Sequence, residues 1–154
     1  MESRELTKQV NPLFMEWTLV RKQEEARWPP LFEKARSALH RWGEHAPRPA
    51  AEVASIDERV AQVRVTFQES TELGRRNNED FARCTNEFKV TRHLRSQEKL
   101  EALARLRDEC SRVVREDLAK RALILDQYEQ EIGELVSYID EQLAMAPTVQ
   151  PKKD

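Results

Sequence analysis

The sequence has few of the residues that make turns and sheets, and this excludes several classes of fold. Only three of its 154 residues are glycine, so few positions suit the positive-φ turns that β-hairpins use. Proline is absent from residues 50 to 146, which removes the strongest helix breaker from most of the chain. With 35% charged and 39% apolar residues, the composition favours long helices exposed on one face. We therefore predict an all-α protein.

Other absences limit the cell compartments and the binding partners that the sequence allows us to predict. Two cysteines, Cys84 and Cys110, are too few for a disulfide framework and form no Cys-x-x-Cys pair, so they fit a reducing compartment. The 26 basic and 28 acidic side chains leave a net charge of −2, which gives no general attraction for nucleic acid or an anionic membrane. The start resembles no secretory signal, and no apolar run approaches the roughly 20 residues of a membrane span. These features predict a cytoplasmic protein, with nucleic acid and membrane both disfavoured as partners.

The first part of the chain is predicted to be a Trp-rich helical segment, residues 1–46. Apolar residues recur along it every three or four positions, which is typical of one helix face. The adjacent Pro29 and Pro30 should end or kink the helix. Residues 47–54 contain two further prolines, so we interpret them as a linker that lets the chain turn back.

Residues 55–146 are predicted to form one long coiled-coil helix. Ser55 and Glu58 have the spacing of a capping box, in which each side chain accepts the other residue's amide hydrogen. The apolar repeat weakens around Gly74, where residues 74–78 could be a reverse turn or a polar stretch of continuous helix. Because one glycine costs a helix only about 1 kcal/mol and no proline supports a stop, we favour the continuous helix.

Two features complete the expected organisation. The apolar run that ends at Val114 and the run that begins at Leu118 differ in register, which indicates a stutter between them. Pro147 disfavours helix at the residue before it, so residues 147–154 are expected to be a disordered tail.

These segments predict an elongated helical hairpin, a coiled-coil rod in which the kinked N-terminal helix folds back on the long helix. At 1.5 Å per residue, the N-terminal segment would span about 65 Å and the long helix about 135 Å. About half of the long helix would therefore stay uncovered. Exposed apolar area forfeits about 25 cal/mol per Å², so the uncovered part would need another helix or a second copy of the chain.

Two sets of apolar residues are the candidate partner-binding sites. The tryptophans all lie near the start of the chain, and they either hold the N-terminal segment in place or insert into a partner; they are Trp17, Trp28 and Trp42. The last helix carries the most regular apolar stripe, formed by Leu125, Tyr128, Ile132, Leu135 and Ile139. Residues 122–146 contain six acids and no Lys or Arg. This pattern indicates a partner with basic flanks around an apolar groove, with ordinary coiled-coil self-packing as the alternative.

A basic stripe is predicted on the long helix. Its members recur every three or four residues; they are Lys89, Arg92, Arg95 and Lys99. The stripe is either a solvated face or a contact for an acidic protein surface, such as a tubulin lattice. It has none of the interleaved aromatic residues that stack on bases.

No catalytic, cofactor or metal site is expected. His40, Glu44 and His45 do not share one helix face, and the sequence suggests neither a catalytic Ser/His/Asp set nor a glycine-rich phosphate loop. The organisation resembles that of small coiled-coil subunits of eukaryotic cytoskeletal assemblies. That resemblance implies a non-enzymatic structural subunit that docks lengthwise in a cytoskeletal or axonemal assembly, with other helical proteins or its own copies as partners. The alternative is a regulatory adaptor or tether whose basic stripe contacts an anionic membrane surface or nucleic acid, with binding that weakens steeply with salt.

Overall fold

The computed structural model describes residues 2–145, and helices account for almost all of them. The elements are α1 (Ser3–Glu44), α2 (Ala50–Thr91), α3 (Ser96–Ser111), a π-helix (Arg112–Asp117) and α4 (Leu118–Met145). The last three follow one another without a break, so the described chain has three long helical runs. The predicted all-α class is confirmed. The tail predicted at 147–154 lies outside the described residues.

The predicted two-helix rod is wrong, because the chain turns a second time between Thr91 and Ser96. In this turn the amide of His93 donates to the carbonyl of Val90 at 3.0 Å, and Arg95 is extended with φ −80° and ψ 164°. Neither glycine nor proline marks the turn, so the sequence pattern gave no strong stop signal. The third helical run covers apolar surface that the prediction had left for a partner.

The first connection spans residues 45–49 rather than the predicted 47–54, and the helix before it continues past both prolines. Helix α1 does not end at Pro29 and Pro30 but continues to Glu44, since tertiary packing of a helix face can outweigh the local cost of proline. Helix α2 begins at Ala50, because the carbonyl of Pro49 accepts the first amide hydrogen bonds of the helix. The predicted capping box at residues 55–58 therefore lies inside α2. Helix α2 also runs unbroken through residues 74–78.

The chain divides into two compact units, each a three-helix bundle. Unit 1 consists of residues 2–25 and 70–123. In it, Gln9 contacts Arg107 and Glu16 contacts Arg115, so α1 runs parallel to the third helical run, while α2 runs in the opposite direction. Its core contains Leu6, Val10, Leu13, Cys84, Phe88, Leu103, Leu106, Cys110, Val113, Val114 and Leu118.

Unit 2 consists of residues 26–69 and 124–145. It has two core clusters. The first is formed by Ala38, Trp42, Ile56, Leu135 and Ile139, and the second by Leu31, Leu125, Tyr128 and Ile132. All three helices of the unit therefore contribute to its interior.

The π-helix Arg112–Asp117 lies where the sequence predicted a stutter. A π-helix hydrogen-bonds residue i to residue i+5 instead of i+4, so each of its hydrogen-bonded loops encloses one more residue than in an α-helix. The extra residue accounts for the change of apolar register between α3 and α4.

Candidate functional site

Two of the three tryptophans pack within their own unit. In unit 1, Trp17 stacks on Phe81 with ring centroids 3.8 Å apart, and its indole Nε1 donates to Oδ1 of Asn77 at 2.9 Å. In unit 2, Trp42 is buried, with the guanidinium of Arg48 5.1 Å from its ring centroid. Only Trp28 borders exposed aromatic rings.

The apolar stripe of α4 is covered within the chain. Each of its predicted partner-binding residues is buried in unit 2; they are Leu125, Tyr128, Ile132, Leu135 and Ile139. The prediction assumed that the N-terminal segment was too short to cover the whole of one long helix. Helices α1 and α2 of unit 2 supply that cover, so the stripe does not offer the partner surface that the sequence indicated.

Three of the six acids of α4 form ion pairs within the chain. Arg27 of α1 donates to Asp126 at 2.9 Å and to Glu129 at 3.1 Å, and Arg41 donates to Asp140 at 2.8 Å. These pairs are exposed, and such pairs contribute about 0–1 kcal/mol each. Arginines of α1 therefore neutralise half of the acids that had indicated a basic partner.

Unit 2 carries a partly exposed aromatic cluster, which we call the aromatic surface. It consists of Trp28, Phe32, Phe67 and Tyr128 with the adjacent Val63, Arg64 and Gln68. Phe32 keeps 42% and Phe67 38% of its surface in solvent, although their ring centroids are 5.6 Å apart. Trp28 lies 5.5 Å from Phe67 in an edge-to-face arrangement. A shallow cavity of about 200 Å³ opens among these side chains.

Helical spacing brings the aromatic surface together. Trp28 and Phe32 are four residues apart on α1, and Val63 and Phe67 are four apart on α2, so each pair lies on one helix face. Tyr128 of α4 is buried and contacts the rings of both Trp28 and Phe32. Its burial raises the pKa of its phenol.

The charge at the edge of the aromatic surface is positive. Arg64 is exposed and lines the cavity, and it makes no ion pair with any residue in the range 2–145. Glu33, which follows Phe32, is instead paired with Arg36. An acidic group on a ligand would therefore meet an arginine that no carboxylate yet neutralises.

The predicted basic stripe does not lie on one helix. Lys89 ends α2, Arg92 and Arg95 lie in the turn, and Lys99 is in the first turns of α3. The prediction assumed a continuous helix, whereas the chain reverses direction here. Lys89, Arg92 and Arg95 are exposed and Lys99 is half-buried. None of the four has an ion-pair partner in the described chain, so the turn presents uncompensated positive charge.

A buried polar network in unit 1 was missed by the sequence prediction. Asn77 accepts hydrogen bonds from Trp17 and from Nη1 of Arg121, both at 2.9 Å, and donates to the carbonyl of Val113 at 3.0 Å. Nη2 of Arg121 donates to Glu24 at 2.6 Å. Burial lowers the pKa of Arg121, and Glu24 opposes this effect. The sequence does carry a signal for this network, because polar residues, Gly74 and Asn77 among them, interrupt the apolar repeat of α2.

The network joins the three helices of unit 1. Among residues 2–145, no group of three or more His, Cys, Asp and Glu side chains is placed to hold a metal ion. None of the helices described has a stretch that is long and apolar enough to cross a bilayer. No protein-family model, curated protein or solved structure matches the chain.

Proposed function

We propose that this protein is a non-enzymatic structural subunit that binds another protein through the aromatic surface of unit 2. The observation that carries the proposal is the exposure of Phe32 and Phe67 next to Trp28. Aromatic side chains dominate interface energetics because they bury a large area with few rotatable bonds. Covering these rings with a partner would gain about 25 cal/mol per Å² of apolar area buried.

The proposed partner presents an amphipathic helix with acidic residues beside its apolar face. The cavity of about 200 Å³ suits an apolar anchor side chain, and Arg64 at its edge favours a carboxylate next to that anchor. A guanidinium can bind a carboxylate through two parallel hydrogen bonds, which fixes orientation as well as charge.

A cytoskeletal or axonemal assembly remains the setting that we propose. The supporting argument is one of charge, because acidic surfaces such as that of tubulin complement both Arg64 and the basic residues at the α2–α3 turn. The predicted docking along the α4 stripe is not retained, since that stripe is buried. Docking through one face of unit 2 replaces it.

A pair of designed helical peptides tests the proposal. The two share one apolar face, and one carries Glu at the flanking positions where the other carries Lys. Binding to the full chain is followed by the anisotropy of a dye on the peptide. We expect the Glu peptide to bind more tightly, and Arg64→Glu to reverse the preference. Loss of one interfacial charge pair should weaken binding about tenfold or more.

Matched variants distinguish specific binding at the aromatic surface from nonspecific hydrophobic binding. Phe32→Ala should weaken binding of the Glu peptide, whereas Met15→Ala, at an exposed apolar position of unit 1, should not. Equal binding of both peptides, or equal effects of the two alanine variants, would contradict the proposal. So would a concentration-dependent dimer that Phe32→Ala abolishes, because the surface would then bind a second copy.

The turn between α2 and α3 supports a second candidate, the regulatory adaptor. Its exposed Lys89, Arg92 and Arg95 carry charge that no described acid neutralises, which suits an anionic surface. Vesicles containing phosphatidylserine and a mixed-sequence RNA are the probes. Binding that falls steeply between low and physiological salt, and is lost when these three residues become Gln, would favour the adaptor.

A further inference from the structure

Two cysteines, Cys84 and Cys110, belong to the same cluster in the core of unit 1. Cys84 of α2 is 0% exposed and Cys110 of α3 is 1% exposed. Both are free thiols, and both belong to the same apolar cluster. Buried cysteines usually act as small apolar side chains, but two that face each other can also react with each other.

The helix packing places the two residues at the same level. Nη2 of Arg83 donates to Glu109 at 3.1 Å, and each of these residues immediately precedes a cysteine. Arg112 lies 3.8 Å from Asp80 one helical turn away, so the antiparallel alignment of α2 and α3 extends past the cysteines.

The two thiols lie next to each other in this core. Their interaction lowers the pKa of Cys84 and raises the pKa of Cys110. Because the thiolate is the attacking form, we assign the first attack to Cys84.

We propose that Cys84 and Cys110 form a dithiol site that a small peroxide oxidises to an intramolecular disulfide. This proposal is independent of the aromatic surface. It concerns the covalent state of unit 1.

The chemistry needs hydrogen peroxide and no metal. The Cys84 thiolate attacks one peroxide oxygen, the O–O bond breaks, and the departing hydroxide takes up a proton to become water, which leaves a sulfenic acid. The Cys110 sulfur then attacks the Cys84 sulfur, the S–O bond breaks, and the departing hydroxide takes the Cys110 proton as a second water. Two thiols lose two electrons, and one peroxide becomes two waters.

The disulfide would tie α2 to α3 across the turn between Thr91 and Ser96. An S–S bond is about 2.05 Å long, so side-chain rotations must bring the two neighbouring sulfurs together. Because the cross-link closes a loop in the unfolded chain, we expect oxidation to raise the melting temperature by about 10 °C. Because both sulfurs are buried, oxidation should be slow and should speed up when mild denaturant opens unit 1.

The test treats the full chain with hydrogen peroxide and follows intact mass, free thiols and peptide maps. We expect a monomer that has lost two hydrogen masses, a Cys84–Cys110 cross-linked peptide, a higher melting temperature and full reversal by dithiothreitol. A disulfide-linked dimer, sulfinic acid at either residue without a cross-link, or oxidation seen only after global unfolding would overturn the proposal.

Single alanine variants test the order of attack. With dimedone present, which traps sulfenic acid, Cys110→Ala should be labelled at Cys84, and Cys84→Ala should be labelled much more slowly at Cys110. Circular dichroism shows whether each variant is folded, and serine replaces alanine where it is not. Equal labelling in both folded variants would contradict the assignment of Cys84 as the attacking thiol.

Discussion

Arg121 and Glu24 form a salt bridge of 2.6 Å inside unit 1, where only 5% and 10% of their side-chain surfaces are accessible to solvent. Removing one partner leaves a buried charge without its counterion, which destabilises a protein by about 3–5 kcal/mol. We expect Glu24→Gln to lower the free energy of unfolding by an amount in that range. Urea denaturation followed by circular dichroism measures it.

Glu16→Gln is the matched control for that substitution. Glu16 pairs with Arg115 at 3.9 Å, but both side chains are largely exposed, and exposed pairs contribute about 0–1 kcal/mol. Equal losses in the two variants would mean that burial of the Arg121 pair has no energetic consequence.

Gly74 and Gly133 provide a second matched pair, since both lie inside helices. A Cβ at Gly133 would meet nothing within 4 Å, whereas at Gly74 it would lie 3.2 Å from Nη2 of Arg121. That guanidinium is held by Glu24 and Asn77, so it has little room to move. We expect Gly133→Ala to stabilise by about 0.5–1 kcal/mol and Gly74→Ala to give no gain or a loss. The same gain at both sites in thermal unfolding would contradict the packing of Arg121.

Ile132 is fully buried in unit 2, so its substitution should act on folding. Ile132→Ala should lower the free energy of unfolding by about 2–5 kcal/mol, and Ile132→Asp should unfold unit 2, because an unpaired carboxylate is costly to bury. Leu123→Ala, at an exposed position, should change stability by less than about 0.5 kcal/mol. An Ile132→Asp protein with full helicity and an unchanged melting temperature would place Ile132 on the surface.

Tyr128 should make stability depend on alkaline pH. Burial raises the pKa of its phenol above the ordinary value, so the folded state holds the phenolic proton more tightly than the unfolded state does. This contribution is fully present below the ordinary tyrosine pKa of about 10 and is lost as pH rises through the raised value. Melting temperatures between about pH 8 and 11.5 should fall less steeply for Tyr128→Phe than for the natural chain. If the melting temperatures of the two proteins fall equally with pH, Tyr128 does not cause the loss of stability at alkaline pH.

The helix class and most of the apolar positions could be predicted from the sequence because they depend on local spacing. Ile132 and Leu135 repeat on one face, and the interior of unit 2 uses that face. The register change between Val114 and Leu118 was also visible, and a π-helix lies there. What such spacing does not specify is which helix covers which face.

The second turn could not be predicted because its residues carry weak signals. Arg92 to Arg95 contain no glycine or proline, so the turn depends on packing of the helices on either side. Because the prediction missed this turn, it assigned the apolar stripe of α4 to an interface, whereas the stripe lies in the core of unit 2. Arg64 was likewise indistinguishable in sequence from any exposed arginine, since its position beside Phe67 at the cavity arises only when α1, α2 and α4 meet.

The π-helix has a consequence for how the chain tolerates changes in length. If one residue were deleted within Arg112–Asp117, an ordinary α-helical turn could close the gap with little local strain. Every position downstream would then keep its direction around the helix axis, because the wider turn had taken up the deleted residue. Leu125 and Ile132 would still face the interior of unit 2. A single-codon deletion in an ordinary α-helical stretch would instead rotate every later position of that helix by about 100° and bring charged side chains into the interior. The π-helix is therefore a place where the third helical run tolerates the loss of a residue.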